Sequence, residues 1–109
     1  MNHLNSCLIE GVLEGNPVCT KTTSGTDTCV FNIKTSRYFK KDGAPVEETS
    51  FFPIETWGRL ALSCNAQLRD GRGIRVVGRL KEDRWEVDGV GHSRIKIIVE
   101  HVEFKPLFK

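Results

Sequence analysis

Nowhere does this sequence stay apolar for the roughly 18 to 20 residues that a membrane-crossing helix needs. Its first residues, Met1-Asn2-His3-Leu4, lack the charged-then-apolar layout of a secretion signal. These two absences set the expectation of a cytoplasmic protein with no membrane partner. No Cys-x-x-Cys pair occurs either. The cysteines stand at positions 7, 19, 29 and 64 without a histidine at ligand spacing, which argues against a metal site, and no cofactor is expected. In a reducing compartment the four are best read as small buried hydrophobes. A glycine-rich phosphate loop is missing, His3, His92 and His101 are scattered, and no serine or aspartate completes a nucleophilic arrangement. The chain is therefore not expected to be an enzyme. A large charge excess is missing too: the formal net charge of +2 is too small to diagnose a nucleic-acid partner.

What is present is enough for one domain. A chain of 109 residues can bury a single modest core, and 39% hydrophobic with 28% charged residues is the composition of a folding globular chain. The charge is unevenly spread. Lys34, Arg37, Lys40 and Lys41 fall within eight positions that hold no acid. Farther on, Arg69, Arg72, Arg75, Arg79, Lys81 and Arg84 are offset only by Asp70, Glu82 and Asp83. A single such cluster reads as a solvated face; two clusters interleaved with aromatics point toward a polyanion.

Hydrophobic periodicity predicts mostly strands. Leu4 to Leu13 alternates with Cys7, Ile9 and Leu13 on one face, Gly11 marking a bend or bulge and Gly15-Asn16-Pro17 a turn. A second turn at Ser24-Gly25-Thr26-Asp27 leads into a strand that points Cys29, Phe31 and Ile33 inward. Residues 36 to 47 show no periodicity and read as a long loop or the splayed ends of a hairpin around Lys40 to Pro45. From Thr49 to Gly58, Phe52, Ile54 and Thr56 share one face and Phe51, Pro53, Glu55 and Trp57 the other. Arg59 to Arg69 is the one helix candidate, with Leu60, Leu62, Cys64, Ala66 and Leu68 partly at helical spacing and Asp70-Gly71 as a stop. Arg72 to Leu80, with Ile74, Val76 and Leu80 inward, Asp83 to Val87 and His92 to Phe104 complete the strands. Five main strands with one helix between the third and fourth is the order of an all-β OB-fold, a five-stranded Greek-key barrel. It is assigned to residues 1–104, with 105–109 a short frayed tail.

Several local stretches are more specific than that fold. Asn5 ahead of the first strand, Gly11-Val12-Leu13 and Asn16-Pro17-Val18 open the chain. Ser24-Gly25, Cys29-Val30-Phe31-Asn32-Ile33 and Thr35-Ser36 follow. Thr49-Ser50-Phe51-Phe52 then runs to Trp57-Gly58-Arg59-Leu60-Ala61, and Leu68 with Gly71, Val76-x-Gly78-Arg79-Leu80 and Arg84-Trp85 come last. In this order and spacing, over about residues 4 to 104, they resemble the bacterial single-stranded DNA-binding protein (SSB) family. The resemblance implies sequence-independent binding of single-stranded DNA, protecting it during replication, recombination and repair. A binder indifferent to sequence needs aromatic platforms for base faces and Lys or Arg for phosphates.

By resemblance, Phe51, Trp57 and Trp85 are stacking residues, with Tyr38 or Phe39 as the remaining one, because a length difference in the loop leaves that alignment open. Arg59 takes the basic position at the strand-to-helix junction, and Lys81 and Arg84 those before the last aromatic. Lys34, Arg37, Lys40, Arg75 and Arg79 complete the candidate phosphate contacts. The bland alternative is core packing for each aromatic and a solvated charge for each cation. Phe31, Phe52 and Phe104 are assigned to the core or an interface. The chain departs from the family pattern at Phe52, where His is common, at Pro53 and Glu55, which remove a cation and add an acid, and at Ser6 and Asp70. It ends at Lys109 without the acidic tip by which the family recruits replication and repair proteins, so such partners stay open. Leu8 and Val12 beside Glu10 on the outer face of the first strand suggest self-association, as a homotetramer by resemblance, or a dimer. Two alternatives stand beside this reading. One is a primosomal replication-restart OB-fold protein that bridges DNA and protein partners; the other is an OB module for protein or oligosaccharide.

Overall fold

A computed structural model describes residues 1–106. The elements are β1 (Cys7–Lys21), β2 (Asp27–Lys41), β3 (Ala44–Trp57), α1 (Arg59–Gln67), β4 (Gly73–Val87) and β5 (Val90–Phe104). The strands close into a barrel in the order β1-β2-β3-β5-β4. All neighbours are antiparallel except β3 and β5, which meet in parallel at Ile54 and Ile97 and at Glu55 and Ile98. This is the expected OB-type barrel with its helix between the third and fourth strands.

The core follows from the period-2 alternation. Leu13, Cys29, Ile33, Ile54, Ile74 and Val76 are fully buried, and Phe31, Ile97 and Val99 nearly so. Truncating one such Leu or Ile to Ala costs about 2 to 5 kcal/mol. Phe52 and Phe104 pack against this cluster from its edge, as expected. Buried Thr56 satisfies its hydroxyl by donating to the Cys29 carbonyl oxygen at 2.9 Å. The helix covers the barrel with Ala61, Cys64 and Leu68, spaced three and four apart. Leu62 and Ala66, both part of the helical pattern in the sequence, are exposed. Burial pushes the Cys64 thiol up to about 11, opposed by a hydrogen bond with Thr56.

Other expectations need correction. Gly15-Asn16-Pro17 is no turn: β1 runs through it as a bulge, since Glu14 pairs with Asn32 and Val18 with Val30. The bulge is pinned from outside, because Asp70 accepts from the Gly15 N–H and its own N–H donates to the Asn16 amide oxygen. Of the two readings of residues 36 to 47, the loop fails and the hairpin holds, with its ends paired rather than splayed, since β2 and β3 stay paired from Thr28 and Trp57 out to Lys41 and Ala44. Asp42 and Gly43 turn the hairpin with φ of 52° and 79°, the primed turn that suits twisted strands. Leu80 is about half exposed, because β4 continues past the barrel and pairs with β5 as a second arm turned at Asp88-Gly89. Finally, Cys19 and Cys29 lie directly opposite in the β1–β2 register and are joined as a disulfide, leaving Cys7 and Cys64 free.

Gly11 shows no bulge. It lies where β1 passes between β2 and β4, and a Cβ there would sit 2.2 Å from the Lys34 carbonyl oxygen. Lys105 is held by its backbone N–H on the Gly73 carbonyl, while residues 107–109 of the expected frayed tail lie outside the described residues.

Candidate nucleic-acid interface

Register decides which side chains share a surface. In the β2–β3 hairpin Thr28 is opposite Trp57, Val30 opposite Glu55, Asn32 opposite Pro53, Lys34 opposite Phe51 and Tyr38 opposite Glu47. Strand alternation therefore puts Tyr38, Phe51 and Trp57 on one outer face, together with Lys34 and Lys40. The three aromatics are 73%, 54% and 44% exposed, which is the reverse of core packing. Arg37 and Phe39 fall on the opposite face, where the Arg37 guanidinium lies 4.5 Å from the Phe39 ring centroid and pairs with Glu48 at 3.2 Å. Alternation thus separates the two residues the sequence left open, with Tyr38 beside Phe51 and Phe39 turned away. The Tyr38 hydroxyl donates to Glu47 at 3.1 Å, and this bond, with the carboxylate charge behind it, raises the pKa of the phenol.

Trp85 belongs to the β4–β5 arm, paired with His92 and stacked on its ring at 5.7 Å between centroids. Lys81 and Asp83 share its side of β4, whereas Arg84 alternates to the other side and pairs with Glu82 at 2.8 Å. A chain of ionic contacts ties this arm to β3. Lys96 reaches both Glu55 and Asp83 at 2.7 Å, Asp83 also holds Lys81, and Glu55 accepts from the Trp57 indole N–H at 2.7 Å. Bonds from Lys81 and then Lys96 hold the Asp83 carboxyl at about 2, well below the usual carboxylate range. Burial opposes the charge on Lys96, but the Asp83 and Glu55 carboxylates together outweigh it and raise its pKa.

Between the β1 bulge, β2, β3 and the arm lies a cleft of about 460 Å³, lined by Glu14, Val18, Val30, Asn32, Pro53 and Trp85 among others. Arg59 opens α1 immediately after Gly58, whose φ of 64° turns the chain from β3 into the helix beside Trp57. The remaining two cations stand elsewhere. Arg75 sits between Glu10 at 2.9 Å and Glu103 at 3.4 Å, and Arg79 meets Glu100 at 3.5 Å. Lys96, Arg94 and His92 were missed in the sequence. The alternation of Arg94, Ile95, Lys96 and Ile97 within the last strand was the signal that could have found the first two.

The sequence model of the Single-strand binding protein family matches residues 4–105. The chain belongs to that family. It is 35% identical over 100 residues to the single-stranded DNA-binding protein of Aquifex aeolicus, covering 91% of this chain and 68% of that protein. It is 30% identical to the single-stranded DNA-binding protein of Treponema pallidum, covering 94% of this chain and 58% of that one. Among solved structures, a deletion mutant of the single-stranded DNA binding protein from Thermus aquaticus superposes with a TM-score of 0.82 at 26% identity, covering 94% of this chain and 50% of that one. The Plasmodium falciparum SSB in complex with ssDNA superposes with a TM-score of 0.88 over 96% of this chain and 97% of that one. At 18% identity this second likeness speaks to the shared fold. Among the described residues no helix is long and apolar enough to cross a membrane, and no group of three or more His, Cys, Asp or Glu could hold a metal ion.

Proposed function

We propose that this family member binds single-stranded DNA with little regard to sequence, stacking bases on exposed aromatics and drawing phosphates to cations, and so covers strands opened in replication, recombination and repair. The observation that carries this reading is the shared face of Tyr38, Phe51 and Trp57, linked through Glu55, Lys96 and Asp83 to the arm that presents Trp85. Large aromatics left in water on one strand face cost hydrophobic free energy unless a ligand covers them, and every base offers a π-face to cover them with. The names of the Aquifex and Treponema relatives support the choice of ligand.

The four stacking residues of this reading are Tyr38, Phe51, Trp57 and Trp85, and the phosphate partners are Lys34, Lys40 and Arg59. Lys81, Arg75 and Arg79 are less suited, being already paired with carboxylates. Self-association is part of the proposal: Leu8, 64% exposed on the outer face of β1, supplies apolar surface for a second copy. A cytoplasmic place of action fits a ligand found there.

Titrating the intrinsic tryptophan fluorescence with a poly-thymidine strand at low and at high salt tests the function. Quenching that weakens as salt rises is the expected result, because phosphate contacts release counterions. Unchanged fluorescence with no binding, or equal binding to duplex, overturns the proposal.

A further inference from the structure

The cleft that opens on the stacking face beside Trp85 has a chemistry that stacking does not require. Val18, Val30, Pro53 and Trp85 give it apolar walls suited to the faces of a ring. Its polar groups are Glu14, Asn16, Asn32, Glu55, Asp83, Arg94 and Lys96. Glu55, Asp83 and Lys96 are committed to one another, and Asn16 is committed through its amide oxygen to the Asp70 N–H. Glu14 and Asn32 differ. They are direct cross-strand partners at the last register position before the bulge, both exposed, and among the described residues neither side chain makes a hydrogen bond or ion pair.

A phosphate is a poor occupant of this cleft, since three carboxylates line it against Arg94 and one lysine that two of them already hold. A neutral ring carrying N–H donors is a good one. We propose that the cleft takes one base of the bound strand and that Glu14 and Asn32 read its edge, favouring bases with an exocyclic amino group. Cytosine offers N4–H₂ to a carboxylate, whereas thymine puts its O4 acceptor at the same place, where it meets negative charge. The bulge sets this geometry: two extra residues of β1 between Glu14 and Val18 interrupt the pairing with β2 next to Glu14, and Asp70 holds them in place. The site superimposes a modest base preference on general strand binding, and it rests on the single-strand reading above.

The test is a pair of fluorescence titrations, with oligo-dC and oligo-dT of equal length at neutral pH and one salt concentration. They are run on the unmodified chain and on Glu14→Gln and Asn32→Ala. The readout is the ratio of the two affinities, which a simple loss of charge does not move. A glutamine can turn its NH₂ toward thymine O4, so the dC-to-dT ratio is expected to fall by about five- to tenfold in Glu14→Gln, and less in Asn32→Ala. An unchanged ratio in Glu14→Gln overturns the base-reading cleft while leaving strand binding intact, as does an equal gain of affinity for both strands. Failure of the unmodified chain to bind either strand overturns the single-strand reading itself, and this inference with it.

Discussion

The outer face of the β2–β3 hairpin and the outer face formed by β1, β4 and β5 both look basic in the sequence, yet the fold gives them opposite characters. On the hairpin, Lys34 and Lys40 stand among exposed aromatics, and among the described residues neither makes an ion pair. On the other face Arg75 is clamped by Glu10 and Glu103, and Arg79 by Glu100. The neutralising acids come from 65, 28 and 21 positions away, so no window along the chain reveals them. A cluster of cations is thus a candidate phosphate site only where the neighbouring strands bring no carboxylates. The cleft lies between these extremes, because Lys96 is half-buried and claimed by two acids.

Aromatic substitutions should separate the two faces most strongly. Trp57→Ala and Trp85→Ala should each weaken single-strand binding by about 1 to 3 kcal/mol in an equilibrium titration. Both side chains are roughly half exposed, so circular-dichroism melts should remain cooperative. Phe39→Ala, on the far side of the hairpin, should leave affinity unchanged, whereas Tyr38→Ala should lower it. Equal losses from Tyr38 and Phe39 would erase the distinction between the two sides of the arm.

The next largest effect concerns charge. Lys34→Ala and Lys40→Ala should each reduce the slope of log affinity against log salt by about 0.7, the increment for one phosphate on a single strand. Arg75→Ala and Arg79→Ala should leave that slope as it is and cost no more than about 1 kcal/mol in stability, as exposed ion pairs do. Glu55→Gln sharpens the contrast from inside the cleft. It relieves one of the two claims on Lys96 and should steepen the slope toward one further phosphate. Equal slopes across all five variants would mean that both faces touch DNA, or neither.

The smallest effect is a pH dependence. Asp83 has its folded-state pKa lowered to about 2, so its contribution to stability is present above the unfolded carboxylate range and is lost as pH falls from about 4 toward 2. Thermal melts of the unmodified chain and of Asp83→Asn should therefore differ at neutral pH and converge through that window. A constant difference down to the lowest pH would show that the bonds from Lys81 and Lys96 do not stabilise the arm.

Much of the barrel was readable because its signals are local. Cys29, Phe31 and Ile33, and again Phe52, Ile54 and Thr56, alternate inward over a core that only a period of two can reach. The arms escaped detection for the complementary reason. With no core behind residues 36 to 47 both faces are wet and alternation vanishes, although the backbone stays fully paired. The same extension explains Leu80, whose pattern predicts burial but whose position lies beyond the barrel wall. The disulfide was hidden because Cys19 and Cys29 meet through strand register across the Thr22–Thr26 turn, with no motif to mark them.

By itself, then, the sequence determined the inward residues of the barrel strands apart from Leu80, the helix between β3 and β4, the aromatic inventory and the family. All of these follow from short-range periodicity and short motifs. Only the tertiary structure decided which aromatics share a face, which cations are already spent on carboxylates and where a cleft opens. Those properties depend on register between strands distant in the chain, where a shift of one residue moves every side chain to the other side of the sheet.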